Sequence, residues 1–545
     1  MALTWARLLD AARRWTVPNL KQFHHSRQPI VWLLAPVTGL AAGGAAILFR
    51  LAIAAFQMPW LGTISESVTT AAREQPWLVI LIAPAVAGLL VGLMLQYLLT
   101  AKRTGAVPDV MEARITAGRS LDLRQGLLST VASALSLGGG ASAGREGPIV
   151  YLGASIAAAA FNHFNLPNAA RRALLAAGVA GTVAASFNAP IAGVLFAQEV
   201  ILGHFAITSF VPLVLAAVMG TIVSQAWFGN VAAFVVPAYQ ITSYLEVPAF
   251  VLLGIVAAAV AIIFQTALVA TDWIARHIKI PLILRPTIGG LMIGAIALWF
   301  PEVLGVGYGT TDAALKDQLP LALMFALLVA KTAATAIALA SRFGGGIFSP
   351  ALYLGAMTGG AFGLMAAHVF PEVGSSEGLY AILGMGAVTA AVLGAPISTT
   401  VMVFELTGGF ALSLALLLTI SIGNGIFQAV LGRSFFQAQL EQRGIVLQEG
   451  PHRVVMKTVR VADFMQPLAG GEGETLRETE RKLTLRSEDS LESALRSFDN
   501  SGAERIPVVH AADSSKKIGW ASHTRALARF NKELIASSLE ESGRT

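Results

Sequence analysis

The chain has 545 residues, 55% of them hydrophobic and 13% charged, with 53 glycines, no cysteine and a formal net charge of +6. Soluble domains carry about 25% charged residues and about 7% glycine, so a water-soluble fold is excluded for most of the chain. The missing cysteines exclude disulfides, thiolate metal sites and cysteine nucleophiles, and the positive excess reads as membrane topology rather than as a nucleic-acid surface.

Residues 1–29 carry Arg7, Arg13, Arg14, Lys21 and Arg27 and lack the long apolar core of a signal peptide, so they are expected to be a cytoplasmic segment. Beyond them, Ile30 to Ala55, Trp77 to Leu98, Phe210 to Phe228, Val247 to Thr271, Leu321 to Ala340 and Leu412 to Leu431 are each long enough to cross a hydrocarbon core of roughly 30 Å. The stretches opening at Pro148 and Pro350 come after glycine-rich runs and are expected to cross only part way, with protein or water covering the broken backbone. The basic loop from Lys102 to Arg124 and the tail after Arg433 fall on the side of the amino terminus, which places both termini in the cytoplasm. Residues 445–545 turn charged, with a helix expected over Ser490 to Phe498 and a strand over Arg505 to His510.

The membrane part, residues 30–444, repeats itself. Gly147-Pro148-Ile149-Val150-Tyr151-Leu152-Gly153-Ala154 returns as Ser349-Pro350-Ala351-Leu352-Tyr353-Leu354-Gly355-Ala356, and Phe187-Asn188-Ala189-Pro190-Ile191 as Leu393-Gly394-Ala395-Pro396-Ile397. An acid stands after each later proline, Glu199 and Glu405, and the two echoes divide the region into halves of about 30–235 and 236–444. Such duplications build a pathway where broken helices from the two halves meet. Gly144-Arg145-Glu146-Gly147-Pro148 sets a carboxylate at one helix start, and Gly345-Gly346-Ile347-Phe348-Ser349-Pro350 sets a second start without an acid. Two helix amino termini facing one place would form an anion site made of backbone N–H groups, each end worth roughly half a positive charge. A full charge at depth would hold a permeating ion too tightly.

These motifs resemble those of the CLC family of chloride channels and chloride/proton antiporters: Gly144 to Pro148 is similar to its GREGP segment, Gly346 to Pro350 to its GxFxP segment, and Phe187 to Pro190 with Glu199 to a third. The resemblance implies an all-α polytopic membrane protein, an inverted repeat of about eighteen tilted or broken helices, working as a homodimer with one pathway per subunit. It implies a gating role for Glu146 and an anion-binding set of Gly105, Arg145, Glu146, Gly147, Gly346, Ile347, Phe348 and Phe436, with the backbone amides of Ile347 and Phe348 as ligands. Three positions depart from the family. Gly105, in Thr104-Gly105-Ala106-Val107-Pro108, stands where an ion-binding serine is usual, Phe436 stands where a tyrosine is usual, and Val200 replaces the inner proton-carrying glutamate. Chloride preference over nitrate is therefore expected to be weak, and a serine restored at position 105 to tighten chloride binding by about 1.5–3 kcal/mol at most. Glu199 and Glu405 are expected to be structural.

In the tail, Val459 to Met465, Asp489 to Phe498, Ile506 to Val509 and Ile518 to Trp520 resemble one cystathionine-β-synthase (CBS) repeat, a small α/β cytoplasmic domain. Arg525 stands where an acid often holds a nucleotide ribose, so adenine-nucleotide binding is not expected. The function expected is transport of chloride and similar small anions across the inner membrane of a bacterium, by channel-like or weakly coupled conduction. A proton-coupled antiporter with a water-mediated proton route is the alternative, and a membrane-anchored CBS-type sensor is the alternative of another class. No cofactor beyond the bound ion, no metal and no nucleic acid are expected, and scattered His163, His204 and His368 give no catalytic spacing.

Overall fold

A computed structural model describes residues 13–541 apart from 15, 18, 22, 25, 66–67, 116–120, 165, 231–233, 235, 238, 240, 242–243, 370–374, 408–411, 446–454, 457–458, 469–473, 476–482 and 511–515. Arg7 of the basic leader lies outside the described residues. The chain divides into two units, one ending at Gln439 and a second beginning at Leu440, with Ala206–Thr208 grouped with the second.

Residues 28–441 form eighteen α-helices among the described residues. In chain order these are α1 (Gln28–Leu61), α2 (Val68–Arg73), α3 (Trp77–Tyr97), α4 (Val107–Ile115), α5 (Leu123–Gly138), α6 (Glu146–His163), α7 (Asn168–Phe187), α8 (Pro190–Phe196) and α9 (Ile207–Phe228). The second half contributes α10 (Val247–His277), α11 (Leu284–Ala297), α12 (Tyr308–Leu315), α13 (Leu321–Ala340), α14 (Phe348–Val369), α15 (Glu377–Leu393), α16 (Pro396–Thr407), α17 (Ser413–Leu431) and α18 (Phe435–Glu441).

Seven spans among the described residues are long and apolar enough to cross a membrane: α1, α3, α9, α10, α13, α14 and the run from Ser413 to Glu441. Six match the expected segments, and the seventh, α14, is the helix expected to open at Pro350 and cross only part way; it runs 22 residues, enough for a crossing by length and composition. Pro350 sits in its first turn, where the missing N–H breaks no helical bond, so nothing interrupts the later turns. Leu33, Leu48, Leu78, Ile263 and Val329 are exposed on these helices, an outer surface suited to hydrocarbon rather than to water.

The duplication is visible as packing. In the first half α6 crosses α7 at Gly153 and Gly178, and in the second α14 crosses α15 at Gly355 and Gly384. A Cβ on any of the four would lie 2.3–2.5 Å from the carbonyl oxygen of its partner, so only glycine allows these backbones to touch. Both pairs then end alike. The C-cap of α7 is Asn188 at φ 54° and that of α15 is Gly394 at φ 67°, with Pro190 and Pro396 opening the next helices two residues later.

The tail unit builds a small sheet from β1 (Gln466–Pro467), β2 (Glu474–Thr475), β3 (Leu485–Arg486), β4 (Arg505–Val509) and β5 (Lys516–Ser522), with α19 (Leu491–Ser501) and α20 (His523–Glu541). The sheet order is β1-β5-β4-β3, with β2 also on β5, and β3 pairs parallel to β4. Ser490 caps α19 through its side chain, which accepts from the Ser493 N–H. Leu491, Ala494 and Phe498 pack from α19 onto Ile506 and Val508, giving the tail its own core. The helix and strand expected here are both present within one to three residues.

Candidate anion site

The two glycine-rich loops meet. Gly144 N–H donates to Gly346 O at 2.7 Å and Gly346 N–H returns to Gly144 O at 2.6 Å, a two-bond bridge between the repeats. It sets the first residues of α6 and α14 side by side. Glu146, only 4% exposed, reaches with its carboxylate to the other half, where Ser349 Oγ donates to Oε1 and Ser349 N–H lies 3.4 Å from Oε2. The Tyr308 hydroxyl, at the start of α12, is 3.5 Å from Oε1 and 3.4 Å from Ser349 Oγ. The carboxylate of one repeat is thus received by the helix start of the other.

Beside it is a cavity with about 50 Å³ open to the centre of a water-sized sphere. One water needs roughly 10–15 Å³ by that measure, so the space suits a few waters or a small ion. Its wall includes Ala106, Val107 and Pro108 from around the start of α4, Glu146 and Gly147 from α6, Gly346, Ile347 and Phe348 from the opening of α14, and Phe436 and Gln439 from α18. Among the described residues no lysine or arginine lines it. Ile347 and Phe348 stand where the first N–H groups of α14 have no partner within the helix.

Of the residues singled out from the sequence, Glu146, Gly147, Gly346, Ile347, Phe348 and Phe436 come together at this cavity, and three do not line it. Gly105 is one residue short of the wall. Its N–H donates to Ser129 Oγ at 2.7 Å, and the space a side chain would take is filled by the Tyr151 ring, 2.3–2.5 Å from an ideal Cβ. Arg145 points away, donating to Ser186 O at 3.0 Å with its guanidinium 4.8 Å above the Tyr308 ring. Val200 lies on the π-helical turn Ala197–Leu202 that continues α8, buried and off the cavity wall.

The paired acids have a reciprocal arrangement. Glu405 accepts from the N–H groups of Ile191 and Ala192 at 3.0 and 2.7 Å, and Glu199 accepts from those of Ile397 and Ser398 at 3.1 and 2.7 Å. Each carboxylate caps the helix opened by the other repeat's proline, where free N–H groups and the helix dipole favour a negative charge. Both oxygens of Glu199 are occupied by this structural work.

Sequence reasoning passed over Ser349, Tyr308, Gln439 and Lys331. Ser349 is the repeat partner of Gly147, and comparing the two echoes position by position would have exposed the hydroxyl. Lys331, the one charged side chain of α13 and fully buried, was visible as an ion inside an apolar run. Tyr308 and Gln439 carry no local signal, since only the fold brings them to the loops.

Known proteins agree with this geometry. The family model described as voltage gated chloride channel matches residues 87–428, more than half of the chain. The H(+)/Cl(-) exchange transporter ClcA of Cronobacter sakazakii is 31% identical over 436 residues, which cover 77% of this chain and 91% of that protein. The voltage-gated ClC-type chloride channel ClcB of Escherichia coli O157:H7 is 30% identical over 416 residues, covering 75% and 98%. Among solved structures, a slow cyanobacterial Cl-/H+ antiporter superposes with a TM-score of 0.69 at 24% identity, covering 76% of this chain and 97% of that one, a likeness of fold. The duplicated helices, the bridged loops and these matches agree: the chain belongs to the CLC family of voltage-gated chloride channels and their transporter relatives.

Proposed function

We propose that the protein conducts chloride and similar small anions across a bacterial inner membrane, as a homodimer with cytoplasmic termini, by channel-like or weakly coupled transport gated by Glu146. The observation that carries this reading is the seat of the Glu146 carboxylate on Ser349, between two helix starts and beside a cavity without basic side chains among the described residues. As a carboxylate it occupies the field a permeating anion would use. Protonated, it loses that attraction and leaves the field to the ion.

The magnitudes suit passage rather than storage. A helix amino terminus favours an anion by about 0.3–1 kcal/mol at a surface and up to about 2 kcal/mol when partly buried. A full cationic charge 4 Å away would contribute about 4 kcal/mol at an effective dielectric constant of about 20, enough to slow release. With Phe436 on its wall and no serine, threonine or tyrosine hydroxyl among its described lining residues, the cavity offers backbone, the Gln439 amide and apolar edges, which supports weak discrimination between chloride and nitrate.

Val200 cannot carry a proton, and the neighbouring Glu199 is engaged as a cap, which supports conduction over strict exchange. Ile191 and Ile397, at matching places in α8 and α16, are about half exposed and suit an apolar face for a second copy. The deciding measurement is the reversal potential of purified protein in liposomes under opposed chloride and pH gradients. A value at the chloride Nernst potential is the expected result, and a displacement that tracks the pH gradient would establish proton coupling instead.

A further inference from the structure

Lys331 is buried completely in the middle of α13, and its ammonium donates to the carbonyl oxygens of Val303 and Gly305, each at 3.0 Å. It also faces the Tyr353 ring, with Nζ 5.1 Å from the centroid. Among the described residues no carboxylate lies within ion-pair distance of it. Glu302, next to Val303 in the chain, is paired with Arg73 at 2.5 Å. Burying an ammonium group on two carbonyls and a ring is costly, so the site must return something.

The two carbonyls belong to the turn leading into α12. Gly305 and Gly307 are in the left-handed region, at φ 62° and 90°, and Tyr308 comes immediately after. A Cβ on Gly307 would lie 2.7 Å from the Tyr353 ring and 3.3 Å from Lys331 Nζ, so turn, ring and ammonium are in contact without slack. The Tyr308 hydroxyl is the one that approaches Glu146 and Ser349. We infer that Lys331 is a positioning residue for the gate: by fixing the 303–307 turn it holds the Tyr308 hydroxyl against the Glu146 carboxylate and so sets the pH at which the pathway opens. This rests on the reading of Glu146 as the gate. The charged and titratable groups facing Glu146 are Arg145 and Tyr308, and those around Lys331 are Tyr353 and, along the turn, Glu302 with Arg73.

The test is anion flux from liposomes as a function of pH, for wild type, Lys331→Met, Tyr308→Phe and the double variant, each also in a Glu146→Gln background. Losing a donor to the carboxylate favours its protonated form, so Lys331→Met should raise the pH of half-maximal flux by about one unit. Tyr308→Phe should do the same, the double variant should shift no further, and neither change should alter the flux of Glu146→Gln. An unshifted Lys331→Met, additive shifts in the double variant, or an equal effect of Lys331→Met with and without Glu146 would overturn the proposal. Should Lys331→Met fail to assemble, Lys331→Gln, which keeps an N–H donor group without the charge, must show a smaller shift in the same direction, and no shift there counts against it. A Glu146→Gln protein that keeps the wild-type pH response removes the gate itself, an outcome separate from the behaviour of Lys331.

Discussion

The two glycine-rich loops share a backbone and differ in chemistry. Gly144 and Gly346 bond to one another as equals, α6 and α14 start at matching residues, and each helix crosses its successor through a glycine pair. Yet where the first loop reads Glu146-Gly147, the second reads Phe348-Ser349. The acid of one repeat is answered by the hydroxyl of the other, and neither half could form the contact with a copy of itself. Duplication therefore supplied the frame, and divergence at two adjacent positions supplied the contact between Glu146 and Ser349. The latches at Glu199 and Glu405 show the opposite case, in which both halves kept the same residue for the same task.

The largest test of that asymmetry removes the charge. Glu146→Gln should conduct anions with little dependence on pH, whereas wild-type flux should rise as the pH falls, because a protonated carboxyl no longer competes with the ion. Liposome flux between about pH 4 and pH 8, a span that brackets the reference carboxyl at about 4.3, measures both. A mutant that still responds to pH like the wild type would leave Glu146 as a helix-end residue and no more.

If the latches are equivalent, breaking them should cost the same. Glu405→Ala and Glu199→Ala each strip two charge-assisted hydrogen bonds from a helix start, worth about 1.5–3 kcal/mol apiece before relaxation. Both should lower the thermal midpoint in detergent by a similar amount, and the surviving protein should keep its pH response. A large loss from one and none from the other would mean that the symmetry of the distances hides a difference in load.

Ser349→Ala sharpens the comparison from the receiving side. It removes the hydroxyl donor to Oε1 and leaves the residue-349 backbone N–H and the Tyr308 hydroxyl as the contacts from the second half. The freed carboxylate should protonate more readily, moving half-maximal flux upward by about one to two pH units, the equivalent of about 1.5–3 kcal/mol. Unchanged pH dependence would show that the Ser349 contact is dispensable.

Much of this frame was legible in the chain. The repeat, the seat of Glu146 at a helix start, the apolar spans and the tail's helix and strand all come from local pattern, since glycine, proline and hydrophobic runs act within a few residues of themselves. The hidden part depends on distant segments. Tyr308 reaches Glu146 only because α12 packs against α14, and the role of Glu199 as a cap for Ile397 and Ser398 requires the second half to be in place. Gly105 shows how a motif can mislead, because the residue that governs its surroundings, Tyr151, lies 46 positions away in the chain.

That pair yields the smallest effect. From the sequence alone, a serine at position 105 should restore an ion-binding hydroxyl and tighten chloride. In the structure its Cβ would stand 2.3 Å from Tyr151 Cδ1, closer than any real contact, so the ring must rotate away or the loop must shift. Gly105→Ser alone should therefore bind chloride no better than wild type and melt earlier. Adding Tyr151→Ala clears the space, and the double variant should then gain about tenfold in affinity, about 1.4 kcal/mol, close to the lower end of what one hydrogen bond to an ion contributes. Isothermal titration with chloride on the four proteins of the cycle gives the coupling directly. If the single variant tightens as much as the double, Tyr151 is not what holds position 105 empty, and the ring contact is incidental packing.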